Sequence, residues 1–208
     1  MKYDAALFLS KIELYAMITQ KATELGFNVY AQNYRIDACK LAMQVCLRPQ
    51  IRILEFAELR LCGMLYRGEK STSIGLNARR SVGGRNFDCM HELIHYWYHK
   101  QASFYCIADT DNNVEWQANE GAAQFLMPYQ NFVPNYCHLH DRLYSRMQPS
   151  SAHSSLISTL AKNYMVGEMS VQIRIKSLAA EIGHYADGTP IHEIKIAPPN
   201  SVSQKQAL

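Results

Sequence analysis

The segment His91-Glu92-Leu93-Ile94-His95 constrains this chain more than any other stretch of it. On an α-helix, residues i and i+4 share a face and are offset by about 6 Å of rise. Two imidazoles placed that way can converge on one ion, each nitrogen about 2.0–2.1 Å from it. Glu92 is next to the first imidazole but turned about 100° around the helix axis. It is badly placed to bind the same ion and well placed to take a proton from a water held there. Leu93, Ile94, Tyr96 and Trp97 make the helix largely apolar, hence buried. Two histidines and a glutamate buried together are costly unless something pairs them, and a metal ion does so. A surface helix with incidental histidines does not fit those flanks. His99, one turn further on, reads as a solvated helix end, because the ion has donors nearer by.

A catalytic zinc site needs a third protein ligand and one open position. Glu115-Trp116-Gln117-Ala118-Asn119-Glu120 supplies candidates. Glu115 and Asn119 stand at i and i+4 and share a face. A carboxylate from a second helix completing an HExxH site is the gluzincin arrangement. Asn119, one turn after the ligand, is then placed to accept a hydrogen bond from His95 or His91. Glu120 is the rival ligand. Glu115 is preferred because a polar partner follows it and because Ala122, Ala123, Leu126 and Met127 continue a buried face. On its own, Glu115 would read as a carboxylate favoured at a helix N-terminus.

The rest of the chain is that of a globular protein. It has 208 residues, 48% hydrophobic and 19% charged, enough to bury one good core and a small second lobe. A formal charge of +3 is too small to argue for nucleic acid, and direct nucleic-acid binding is not expected. The six cysteines form no CxxC pair and several lie in apolar runs, so they read as reduced, buried thiols. The N-terminal apolar stretch stops at Ser10-Lys11 with no cleavage site after it, and no run reaches the roughly 18 apolar residues of a membrane span. A cytoplasmic protein without a membrane partner is the expectation.

Apolar spacing predicts helices over residues 4–25, with Gly26 as C-cap, and over 35–47, ended by Pro49. Residues 59–66 and 71–78 read as a hairpin about Arg67-Gly68-Glu69-Lys70. Gly83-Gly84 is expected to break the chain before a helix from 86 to about 100, with Asn86 as its N-cap. Another helix is expected over 114–127, then an irregular stretch over 129–150 rich in proline, then a helical pair within 151–182. The organisation is a domain over 1–150, a C-terminal helical region over 151–182 and an extended, partly disordered tail over 183–208.

Phe87 to His99, with its HELIH core, resembles the active-site helix of the ImmA/IrrE metallopeptidases. The resemblance continues from Glu115 to Pro128, where that family has an E-x-x-A-N segment, small residues and then L-L-M-P. Gly121, usually aromatic there, and Phe125 depart from the pattern, and neither is a ligand position. Softer similarity runs through Ile74-Gly75-Leu76-Asn77 and through Leu160 to Gly167 with Val171 and Arg174, so that about residues 30–180 are covered. The resemblance implies an α+β, mostly helical, zincin-like core with a small antiparallel sheet. It implies one zinc ion, held here by His91, His95 and Glu115, with Glu92 as catalytic carboxylate and Asn119 behind a ligand. It also implies site-specific cleavage of a helix-turn-helix repressor, derepressing a phage, a mobile element or a stress regulon.

Several points stay open at the level of sequence. His and carboxylate ligands also suit manganese and iron. Tyr96, Tyr98, His138 and His140 are unranked candidates for stabilising an oxyanion, and His138-Leu139-His140-Asp141 reads as a polar loop in preference to a second metal site. The strand before the active-site helix is a place for an extended substrate to pair. Arg79, Arg80 and Arg85 either contact an acidic substrate segment or form a solvated basic loop. Two other functions compete: a DNA-binding regulator using residues 156–178 as a helix-turn-helix, and a degenerate protease that binds a repressor without cutting it. The intact Glu92 argues against the second.

Overall fold

The computed structural model describes residues 9–58, 60–99, 103–107 (backbone) and 113–198. Eight helices and four strands are formed by these residues, in the order α1 (Lys11–Glu24), α2 (Ala38–Val45), β1 (Pro49–Leu54), β2 (Leu61–Arg67), β3 (Thr72–Asn77), α3 (Val82–Tyr98), β4 (Ser103–Ile107), α4 (Asn113–Leu126), α5 (Tyr129–Tyr144), α6 (Pro149–Tyr164), α7 (Glu168–Ser177) and α8 (Ala179–Ala186). The class is α+β, as expected. The start of the first expected helix and the end of the expected tail lie outside the described residues.

Local chemistry accounts for the helix ends. Ser10 and Glu13 form a capping box at the start of α1, Ser10 N donating to Glu13 Oε2 at 2.8 Å and Glu13 N to Ser10 Oγ at 3.3 Å. Gly26 follows the α1 C-cap at φ +85, a left-handed conformation that glycine adopts without a steric penalty. Asp37 caps α2, accepting from Lys40 N at 3.0 Å.

The sheet is mixed, with strand order β1-β3-β2-β4. The expected antiparallel hairpin of β2 and β3 is present, and β4 also runs antiparallel to β2. To the small antiparallel sheet expected, β1 adds a parallel strand, pairing with β3 from Pro49↔Thr72 to Leu54↔Asn77. β3 is therefore bonded on both sides and has no free edge for an extended peptide. The sheet edges belong to β1 and β4.

Four further expectations change. Gly83 and Gly84 lie inside α3, which starts with Ser81 as N-cap, its hydroxyl accepting from Gly84 N at 3.0 Å. A Cβ on Gly83 would stand 2.4 Å from the carbonyl carbon of Val166, so glycine is needed there for close backbone approach. Asn86 is no cap of its own helix. Its Oδ1 accepts from Ala38 N at 2.7 Å and its Nδ2 donates to Ile36 O and Met165 O, tying α3 to the start of α2 and the end of α6. The stretch expected to be irregular is helix α5 with Pro134 inside it, and the C-terminal pair is a set of three helices, α6 to α8.

α3 packs against β2, β3 and β4 and against α2 and α4. Leu65, Ile74 and Leu76 of the sheet, Cys89, Met90, Leu93 and Ile94 of α3, and Ala118, Ala122, Phe125 and Leu126 of α4 are all buried in one apolar cluster. Gly121 belongs to the α3–α4 contact. A Cβ there would meet Ile94 Cγ2 at 3.2 Å and Ile18 Cδ1 at 3.3 Å, which leaves no room for the aromatic residue common at this position in the resembling family. The site is thus carried on two helices whose contact is set by the core.

Candidate metal centre

His91 and His95 project from the buried middle of α3, at 1% and 0% exposure, toward Glu115 in the first turn of α4. His91 Nε2 lies 3.1 Å from Glu115 Oε2, His95 Nε2 lies 3.4 Å from Glu115 Oε1, and the two Nε2 atoms are 2.9 Å apart. Two ligand atoms at tetrahedral positions on zinc are about 3.3 Å apart, so all three separations are near those of a ligand set. Among the described residues, these three form the one group of His, Cys, Asp or Glu side chains that could hold a metal ion.

The protons support that use. Asn119 Oδ1 is 2.9 Å from His91 Nδ1. An amide oxygen only accepts, so His91 carries a proton on Nδ1, and Nε2 is the nitrogen it turns toward the Glu115 carboxylate. With both Nε2 atoms deprotonated, electron pairs of two imidazoles and a carboxylate would face one another, an arrangement that a metal cation satisfies, as a shared proton does without one. Burial holds the His95 imidazole down to about 4, leaving it neutral. Burial opposes charge on Glu115 too, but the His91 and His95 rings set against it, His91 first, outweigh burial and bring the carboxyl down to about 2. His91, where burial works against charge, is nonetheless raised by its hydrogen bond to Glu115 and by the charges of Glu92 and Glu115. The donors, one carboxylate and two neutral-capable imidazoles, are those zinc takes.

Glu92 is fully buried and neither of its carboxylate oxygens has a hydrogen-bond partner. Burial, reinforced by the nearby Glu115 charge, pushes its carboxyl up to about 8, although His91 pulls the other way. A cation beside it reverses that balance and favours the ionised base. Gly63 on β2 makes the space: a Cβ at that position would stand 2.8 Å from Glu92 Oε1. An orphaned buried carboxylate next to a ligand-like trio is what a proton-transferring group at a metal-held water requires.

Each expected site residue can now be placed. His91, His95 and Glu115 converge, Asn119 reaches His91 and not His95, and Glu92 stands beside them with free lone pairs. Asn119 itself is exposed. Glu120, the rival ligand, turns away: it accepts from Tyr15 Oη at 2.7 Å and Ser177 Oγ at 3.1 Å and pairs with Arg174 at 3.6 Å. His99 is no solvated helix end. It is buried, with Nδ1 2.7 Å from His95 Nδ1. Arg80 forms a bidentate pair with Asp88 at 2.9 Å, and Arg85 Nη1 donates to Ala78 O and Arg80 O, so both cations brace the loop before α3. Tyr96 Oη accepts from Leu47 N at 3.2 Å, and His140 pairs with Asp141 on α5 at 3.2 Å. His138 lines a cavity of about 420 Å³ between α5, α6 and residues 32–35. Of Arg174 and Lys176, the two cations of the supposed helix-turn-helix, Lys176 is exposed, but Arg174 is 1% exposed and points into the core.

An α+β core that presents two histidines from an HExxH helix and a glutamate from the next helix defines the class of the metallopeptidases. The particular family follows from comparison: the peptidase family described as the IrrE N-terminal-like domain matches residues 50–176, and the chain belongs to it. Among curated proteins, none matches the chain.

Proposed function

We propose that the chain is a zinc-dependent, site-specific endopeptidase acting in the cytoplasm on a helix-turn-helix repressor. The observation that carries the peptidase reading is the convergence of His91, His95 and Glu115 beside the buried, unpartnered carboxylate of Glu92. Support for the repressor as substrate is the family resemblance. Support for the compartment is that Cys39, Cys46, Cys89 and Cys137 are free thiols, which suits a reducing environment. Among the described residues, no helix is long and apolar enough to cross a membrane.

In this mechanism His91, His95 and Glu115 hold the ion, which when bound supplies Lewis acidity that polarises the scissile carbonyl and acidifies a water. Glu92 accepts the proton of the attacking water and delivers it to the departing amine. Its setting serves this exchange, because both carboxylate oxygens are without a hydrogen-bond partner and so are open to the proton. Asn119 keeps the His91 proton on Nδ1 throughout.

The test is bound metal by elemental analysis on wild type and His95→Ala, with cleavage of a repressor assayed in parallel. The helix-turn-helix protein encoded beside this gene is the first substrate to try. About one zinc per chain, lost together with cleavage in His95→Ala, is the expected result. A folded wild type that takes up no metal on add-back would overturn the metallopeptidase reading. Zinc with tight repressor binding but no cleavage would replace it with a binding protein.

A further inference from the structure

The row of histidines on α3 does not end at the two that face Glu115. His99, the C-cap residue of that helix, has ψ 128, so the chain turns out of the helix there while the ring stays beside His95, centroids 4.7 Å apart. Its backbone is fixed at both polar atoms. His99 N donates to His95 O at 3.0 Å, and Arg67 Nη2 donates to His99 O at 3.1 Å while also reaching Tyr96 O at 2.7 Å and His95 O at 3.2 Å. On its far side His99 Nε2 lies 3.4 Å from Oε1 of Gln117, a buried residue of α4 two positions after Glu115.

These contacts form a chain of protons whose direction is determined by its end. An amide oxygen only accepts, so His99 carries its proton on Nε2 and a neutral ring leaves Nδ1 bare. Two ring nitrogens 2.7 Å apart need one proton between them. His95 must then supply it from Nδ1. A neutral His95 with its proton there presents a bare Nε2, the nitrogen that faces His91 and Glu115. With the Gln117 amide turned the other way, every proton reverses and His95 presents an Nε2–H that cannot ligate. We propose that His99 and Gln117 are positioning residues that hold His95 in the Nδ1-protonated tautomer and so keep its Nε2 lone pair on the metal site. The two ligand histidines are thereby oriented differently: His91 by the exposed Asn119, His95 by the buried His99 and Gln117 between α3 and α4.

The inference rests on the metallopeptidase reading for the identity of the ion, and its test does not depend on activity. Long-range proton–nitrogen correlation spectra of the metal-free, nitrogen-15-labelled protein report the tautomer of His95, and competition against a chromophoric chelator reports zinc affinity. The wild type is expected to show His95 protonated on Nδ1. Gln117→Leu and His99→Phe are expected to shift His95 toward the Nε2–H form and to weaken zinc binding about 10- to 100-fold. Gln117→Glu, which can only accept, is expected to restore both. A wild-type His95 protonated on Nε2, or a Gln117→Leu protein with tautomer and zinc affinity unchanged, would overturn the proposal. If His99→Phe does not fold, the wild-type spectrum and the Gln117 variants still decide. Loss of the peptidase reading shows separately, as zinc bound in an intact relay without cleavage of any peptide.

Discussion

Glu92 combines two properties that pull in opposite directions. It is the proton carrier of the proposed reaction, and it is a fully buried carboxyl with no hydrogen-bond partner. Replacing it by glutamine keeps the size and the metal ligands, so Glu92→Gln is expected to retain zinc and to lose about 10²–10⁴-fold in kcat. It also changes how the metal-free protein responds to pH. The carboxyl stands at about 8 folded against an ordinary 4.5. A raised folded value means a contribution to stability that is fully present below 4.5 and is lost as pH rises through 8. Glu92→Gln removes that dependence. The metal-free variant should therefore match wild type near pH 5 and exceed it above pH 8 by on the order of 2 kcal/mol, measured by urea unfolding in the presence of chelator. Equal pH slopes for the two proteins would show that Glu92 is not buried as described. At this scale the sequence was highly legible. His91 and His95 on α3, and Glu115 and Asn119 on α4, are each one helical turn apart, and such spacing survives whatever the rest of the chain does. His99 was misread for the complementary reason. Whether a helix end meets water is decided here by Arg67 and Gln117, which come from another strand and another helix.

At the scale of elements, the strand β2 and the helix α3 share a contact that depends on a missing side chain. Gly63 faces Glu92, and even a methyl group there would press on Oε1 at 2.8 Å. Gly63→Ala is expected to fold and to bind zinc, while kcat falls at least tenfold with little change in KM, because the displaced group is the carboxylate and not a ligand. Steady-state kinetics with metal content measured on the same sample checks this, and unchanged kcat would show that Glu92 does not need that position. The elements themselves were less legible than the site. Pro134 and the Gly83-Gly84 pair are breakers by local propensity, yet both sit inside helices. Phe132, Val133 and Leu139 bury the inner face of α5, and Gly83 is held by the backbone of Val166. Burial outweighs a lost hydrogen bond or a glycine penalty of about 1 kcal/mol. β1 alternates Gln50, Ile51, Arg52 and Ile53 as a strand does, but Ile53 and Leu54 are exposed, so its apolar pattern points to no single buried face. Its parallel pairing with β3 is a matter of topology that no local signal carries.

At the scale of the molecule, α7 is fastened to the domain by the buried cation Arg174, with Lys11 Nζ donating to Ser177 O at 2.6 Å beside it. Arg174 donates to Met127 O at 3.1 Å, to Gln124 Oε1 at 2.5 Å and to Tyr15 Oη, and pairs with Glu120 at 3.6 Å. It thereby joins α1, α4 and α7 at a point well along α4 from Glu115. Removing one partner of a buried, hydrogen-bonded pair costs about 3–5 kcal/mol. Arg174→Met is expected to lose about that much stability by chemical denaturation, while the folded fraction keeps its zinc affinity. A variant that loses metal in proportion to nothing but its own folding would agree; one that stays stable and loses metal would show that α7 acts on the site directly.

The ligands of this centre are held apart from the question of whether a metal is there. α3 and α4 meet through Met90, Leu93, Ile94, Ala118, Ala122 and Phe125, all at 0% exposure, and none of these contacts involves the ion. Small zinc domains unfold when stripped because the metal is most of their core. Here the cavity is cast by hydrocarbon, and a metal ion would enter a mould set by that packing. Chelation should accordingly leave the far-ultraviolet circular dichroism unchanged and the unfolding cooperative, with a lower midpoint. Metal then becomes an exchangeable part. Cobalt or manganese offered to the stripped protein would occupy the same three donors without refolding, and the colour of the cobalt form would report the geometry of the ligands from inside the intact fold.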